Sequence, residues 1–235
     1  MFGVVKVFKF KEPKGSLKTA TIIKEADGLY LKVVVDEYNY KVNNRDSQSV
    51  VALDMGIKFF SVNSDGEFVE NPRHLFKKLR ELRTHQRKLS RMKKGGSNWK
   101  KQVNVIQRLH QKVKRTRFDF LQKESTKLSN IYEYVIVENL NIKGMSKNSR
   151  LSKHILDCGW GIFFSLLEYK TNVVKVNPMY SSQECNKCGH TCKENRKTQS
   201  IFECIKCGYT ENADIQATFN LFQRGQTLMG ANVTH

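Results

Sequence analysis

CNKCGHTCKENRKTQSIFECIKCGYTENAD, residues 185–214, holds two Cys-x-x-Cys pairs, Cys185/Cys188 and Cys204/Cys207, with fifteen residues between them. A two-residue gap lets both thiolates of one tight turn aim at a common centre, and the glycine after each pair, Gly189 and Gly208, tolerates the backbone this requires. Two such knuckles face to face supply four sulfurs, the donor set of a closed structural zinc site. Disulfides or idle buried thiols are the alternative, and the doubled spacing favours zinc. Cys192 and Cys158 fall outside the pattern and read as ordinary buried or half-buried thiols. His190 could compete as a ligand, but four cysteines already fill the site. Past Cys207 comes Asn212-Ala213-Asp214-Ile215. Asn212 is a good helix N-cap, Ile215, Phe219 and Phe222 follow at helical spacing, and Gly225 is expected to close the helix. Asp214 therefore sits in a first helical turn, where helix-dipole electrostatics alone would account for an acid.

Outward from this stretch, the chain has 235 residues, enough for one sizeable core and a small satellite. Lys plus Arg number 41 against 22 acids, a net charge of +19 that suits a polyanion such as nucleic acid. No apolar run approaches a membrane span and the N-terminus lacks a signal-peptide layout. Cysteines spaced for metal rather than for disulfides suggest a reducing, intracellular (cytoplasmic) compartment.

Taken in order, residues 1–48 read as a small antiparallel β unit and a polar linker. Val5–Phe10, Thr19–Ile23 and Leu29–Val35 are the strands, and residues 37–48 the linker. Three strands are too few to stand alone, so this unit must lean on the main domain. Ser49–Asp54 opens that domain, residues 49–180, as a buried strand ending in an acid; whether Asp54 turns outward or serves chemistry is open on that evidence alone. Phe59–Val62 and Glu67–Val69 complete a meander. Pro72 then starts a helical hairpin over 72–129, broken at Gly95-Gly96, with Leu75, Leu79, Leu82 and Leu89 on one stripe and Trp99, Val103, Ile106, Leu109 and Val113 on the other. Residues 77–117 hold 16 Lys or Arg and one acid, Glu81. An ordinary solvated face mixes signs, so this stretch favours contact with a nucleic-acid backbone, through Arg83, Arg87, Arg91, Lys93, Lys94, Lys112 and Arg115. Tyr134–Val137 is a second buried strand ending in an acid, Glu138. Residues 141–152 read as a polar loop, Ile155–Lys170 as one helix with Ile155, Ile162, Phe163, Leu166 and Leu167 facing a core, and Val173–Val176 as the last strand. Residues 181–211 are the zinc ribbon and 212–235 the final helix and tail.

Asp54, Glu138 and Asp214 form a set: two close strands of a sheet and one opens a helix. Ligands gather at strand ends in α/β sheets, and three acids there repel unless cations join them. Two Mg²⁺ (or Mn²⁺) ions could hold a phosphodiester there and activate a water. The element order fits an α/β fold of the RNase H-like kind, in its RuvC variant, carrying an inserted basic helical hairpin and a zinc ribbon.

VALDMGIKFFSV at 51–62, IVENLNIKGM at 136–145, the CNKCGH/CIKCGY ribbon and NADIQATFNL at 212–221 resemble the corresponding blocks of TnpB, the transposon-encoded, RNA-guided nuclease family of bacterial insertion sequences. The likeness spans roughly residues 20–225. It implies that Asp54, Glu138 and Asp214 are the metal-binding catalytic acids, that the basic hairpin contacts guide RNA or the heteroduplex with target DNA, and that the N-terminal strands are the tail of a wedge domain. Family members are usually longer at the N-terminus, so the resemblance implies a truncated member. Between Tyr169 and Val173 they usually carry a longer helix end and a glycine turn, where this chain has Lys170-Thr171-Asn172. A non-cleaving RNA- or DNA-binding regulator, or a decayed transposon remnant, is the competing reading.

Overall fold

A computed structural model describes residues 15–36 and 49–232. The expected strand Val5–Phe10 and the linker 37–48 lie outside the described residues. Two compact units divide the rest, one drawn from Met1–Asn43 and Lys78–Arg115, the other from Asn44–Lys77 and Thr116–His235.

In the first unit, β1 (Ser16–Glu25) and β2 (Gly28–Asp36) pair antiparallel, with Glu25 opposite Gly28 across Ala26-Asp27. The turn is fastened to a helix: the Arg115 guanidinium donates to Asp27 at 2.7 Å and to Glu25 at 2.8 Å, while Gln111 donates to both carboxylates. The same unit holds most of α1 (His74–Ser90) and the first half of α2 (Ser97–Ile131). Buried Leu82 and Val113 lie on their apolar stripes, and the buried Gln102 amide donates to the His85 carbonyl at 3.1 Å. Gly95, at φ 84°, makes the turn between them.

The second unit is built on a five-stranded sheet in the order β5-β4-β3-β6-β7, formed by β3 (Val50–Met55), β4 (Phe59–Asn63), β5 (Phe68–Glu70), β6 (Tyr134–Glu138) and β7 (Asn172–Val176). β3, β4 and β5 form the antiparallel meander; β3, β6 and β7 run parallel, with Leu53 opposite Val137 and Glu138 opposite Val176. β3 and β6, the inner parallel strands, are near-continuous apolar runs because both their faces are covered. Val51, Leu53, Val135 and Val137 pack with Leu121 and Leu128 of α2, Ile155 and Cys158 of α4 (Ser152–Cys158), and Phe163 and Leu167 of α5 (Trp160–Glu168). Ala52, Ile136 and Val176 face Leu221 of α6 (Ala213–Asn232). Two short strands, β8 (Ile201–Glu203) and β9 (Thr210–Asn212), belong to the cysteine ribbon.

Five sequence expectations need correction. The helix expected to open at Pro72 begins at His74, because both Asp157 carboxylate oxygens accept from the Leu75 N–H at 3.0 Å and so fix its first turn. The polar loop 141–152 contains a short helix, α3 (Ile142–Met145), which Asn141 caps by accepting from the Gly144 N–H. The single helix 155–170 is two, broken at Gly159, whose φ of 72° suits glycine; a Cβ there would press on Arg117 and Leu121. Ile162, expected in the core, is 46% exposed on the outer side of α5. Gly225 does not end α6: a Cβ there would lie 2.3 Å from Ile136 Cδ1, so this glycine lets the helix lie against the sheet.

Candidate metal and carboxylate centres

The four predicted cysteines converge. Cys185 and Cys207 sulfurs are 3.7 Å apart, Cys188 and Cys204 3.6 Å, and all four lie within 4.8 Å of one another. Sulfurs about 2.3 Å from a tetrahedral zinc would be about 3.8 Å apart, whereas a disulfide needs about 2.0 Å. The knuckles form as their spacing demands: Gly189 and Gly208, at φ 70° and 73°, donate to the carbonyls of Cys185 and Cys204. Buried Asn195 joins the two halves, donating to the Gln183 and His190 carbonyls and accepting from the Ile205 N–H. Nothing in local periodicity marked it. His190 stays outside the cluster, and the half-buried Cys192 donates to Glu194 at 2.5 Å.

Strand parity sets the acids. Asp54 shares its sheet face with Ala52, and Glu138 shares its own with Ile136; this is the face that α6 covers. Leu53 opposite Val137 puts the two carboxylates at the same end of adjacent parallel strands. The third arrives from the ribbon: β9 runs straight into α6, and the Asn212 side chain accepts from the Asp214 and Ile215 N–H groups as the expected N-cap. Burial and the Asp214 charge push the Asp54 carboxyl up to about 6, against the opposing pull of Arg196. Burial and the Asp54 charge push Glu138 up to about 8, against the Ser181 hydroxyl and Arg224. Asp54 thus feels both other acids. Arg196, which sequence reasoning missed, stands 3.4 Å from Asp214.

Also missed was a polar ladder on α6. Gln216, Asn220 and Arg224, four residues apart, aim at one loop: Gln216 donates to the Glu184 carbonyl, Asn220 to those of Ser181 and Glu184, and Arg224 to those of Asn177 and Met179. Gln216 and Asn220 are buried, and the polar residues recurring at i, i+4 and i+8 along one helix face were the available signal.

In the first unit, Arg83, Arg87, Arg91, Lys93, Lys94 and Lys112 are exposed. Arg115 is exposed as well, but its charge is matched by Glu25 and Asp27.

The raised carboxyls carry a pH signature. Both folded-state values lie above the unfolded ones, so the metal-free fold loses stability as pH climbs from about 4 through about 6 for Asp54 and about 8 for Glu138. Glu138→Gln should therefore stabilise the metal-free protein at pH 9 by on the order of 1–3 kcal/mol and change little at pH 4. Urea titrations at the two pH values, without added divalent metal, measure this; an equal effect at both would mean that charge repulsion is not the cause.

The chain is similar to several known proteins. The family OrfB_IS605, described as "Probable transposase", matches residues 32–149, and the "Cas12f1-like, TNB domain" matches residues 160–221. An Escherichia coli K12 protein named "Putative RNA-guided DNA endonuclease InsQ" is 34% identical over 93% of this chain and 59% of its own length. A "CRISPR-associated endodeoxyribonuclease Cas12f1" of Sulfoacidibacillus thermotolerans is 28% identical over 67% of this chain and 39% of its own. Among solved structures, one titled "Cryo-EM structure of CRISPR-Cas12f Ternary Complex" superposes with a TM-score of 0.52 at 25% identity, covering 82% of this chain and 41% of that one. The chain spans about half the length of the curated relatives it matches. The mixed α/β sheet, the four-cysteine cluster and a family match over half the sequence together make this chain a member of the OrfB_IS605 family.

Proposed function

We propose that this chain is a divalent-metal-dependent DNA endonuclease of the RNA-guided TnpB kind, built on an RNase H-like sheet in the RuvC arrangement. The observation that carries this reading is the convergence of Asp54, Glu138 and Asp214 where β3, β6 and the start of α6 meet, with two carboxyls raised by burial and mutual charge. Hard divalent cations would relieve that repulsion, so the donor set fits Mg²⁺ or Mn²⁺. The three acids, at two strand ends and a helix start, would offer oxygen donors to one or two such ions. Asp54, which interacts with both other acids, would be the ligand common to both ions if two are held. Bound ions of this kind polarise a phosphodiester and lower the pKa of a bound water. The chain's own part is to hold the carboxylates on two rigid strands and a capped helix, with Arg196 and Arg224 moderating their charge. Structural zinc in the Cys185/Cys188/Cys204/Cys207 cluster holds the ribbon that delivers Asp214. Guide RNA and target DNA are the partners, drawn to the basic stretch 77–117.

The test is incubation of the purified chain with single-stranded DNA and Mg²⁺, read for cleavage. Binding without cleavage would leave the regulator reading. The same protein should show nucleic-acid affinity that falls steeply between about 50 and 200 mM salt. Neutralising Arg83, Arg87, Arg91, Lys93 and Lys94 together should reduce the slope of log affinity against log salt by about 3–4. A slope unchanged in a nitrocellulose filter-binding series would put the binding surface elsewhere.

A further inference from the structure

The loop between β7 and the first zinc knuckle carries backbone strain that packing does not explain. Tyr180 sits at φ 62°, a region where a bulky aromatic residue is an outlier. The residue is 53% exposed and its neighbour Met179 59%, so neither is held there by a core. Hydrogen bonds from beneath hold the conformation instead. Arg224 grips the carbonyls of Asn177 and Met179, Asn220 those of Ser181 and Glu184, and the Tyr180 carbonyl accepts from the Gln183 and Glu184 N–H groups. Strain that persists because its surroundings over-determine it clusters at functional sites. The next residue ties this loop to the acids: the Ser181 hydroxyl donates to Glu138 Oε1 at 3.4 Å.

We propose that Tyr180 is a stacking platform for a nucleobase of the single strand lying at Asp54, Glu138 and Asp214, with the Met179 thioether beside it. This deepens the nuclease reading and rests on it for the strand's presence. Stacking on an aromatic ring accepts any base, because every base has a π-face, so the platform fixes the strand's position without reading its sequence. Tyr180 moves no proton. It is a positioning residue: a base seated on a ring one residue from Ser181 sets which phosphodiester faces the carboxylates. The strained, pinned backbone keeps the ring turned to solvent, where an unstrained loop could fold it onto the protein.

The experiment uses the full chain and thymidine oligonucleotides carrying 2-aminopurine at successive positions, without added divalent metal, so that cleavage plays no part. Stacking quenches this base. The parent should quench it severalfold at one or two adjacent positions and weakly elsewhere. Tyr180→Phe should keep that pattern. Tyr180→Gly, which suits the positive φ, and Tyr180→Leu, which keeps a side chain without a π-face, should each lose it. Both should keep the parent's slope of log affinity against log salt for long single strands, which charge rather than stacking sets. Equal quenching in parent, Gly and Leu variants overturns the proposal, as does a parent with no position-dependent quenching. If the pattern holds but the parent does not cut when Mg²⁺ is added, the cleavage reading fails while the platform stands. If the parent cuts, KM should rise about fivefold or more for the Gly and Leu variants and stay within twofold for Phe, and an unchanged KM in all three overturns the proposal.

Discussion

Asp54→Asn should lower the rate of DNA cleavage by about 10³-fold or more while leaving the fold intact. The substitution keeps the shape of the side chain and removes the charge that interacts with both Asp214 and Glu138. Carboxylates that share metal ions act as a unit, so Glu138→Gln and Asp214→Asn should each cost a similar factor, and a double variant little more than either single one. The metal-free variants should melt no lower than the parent, since removing one buried acid relieves repulsion. Timed digestion of end-labelled DNA, alongside thermal melts of the same preparations, separates loss of chemistry from loss of fold. Parental rates in all three variants would end the nuclease assignment.

Cys204→Ser should have the largest effect on folding. Zinc held by four thiolates contributes folding free energy, on the order of 10 kcal/mol in small zinc modules, because the unfolded segment has no site. With one buried sulfur removed, zinc content should fall from about one ion per chain towards zero, and residues 185–212 should become open to proteolytic nicking. The sheet has its own apolar cores on both faces and should persist. Cleavage should fail as well, since the ribbon leads directly into the turn that presents Asp214. Elemental analysis of the purified parent is the direct check. A parent free of zinc and still resistant to protease between Cys185 and Cys207 would remove the metal from the account.

Legibility in the sequence followed the range of the interaction. The doubled Cys-x-x-Cys spacing, the apolar runs of β3 and β6 and the Asn212 cap are local patterns, and the structure contains each of them. The glycines were harder. Gly159 and Gly225 look alike in sequence, yet one breaks a helix at positive φ and the other lies inside a helix against Ile136. Only the partner across the fold distinguishes them. The same holds for Asp157, which caps a helix 82 residues earlier in the chain, and for Asn220, which reaches back 39 residues to the Ser181 carbonyl. Periodicity placed α5 but misjudged Ile162, because the break at Gly159 resets the helical phase on which a continuous helix would have put it inside.

The register of Leu53 with Val137 also has a consequence in time. Parallel pairing joins strands about eighty residues apart, and the third carboxylate lies a further 76 residues beyond Glu138. At about 5–20 residues per second of synthesis, Asp214 emerges roughly 8–32 seconds after Asp54. Once residue 117 has emerged, the basic stretch is outside the ribosome for the rest of that interval, while a centre that needs all three acids has at most two. On the proposed reading, the order of residues along the chain completes the surface for a polyanion before it completes the centre that would cut one.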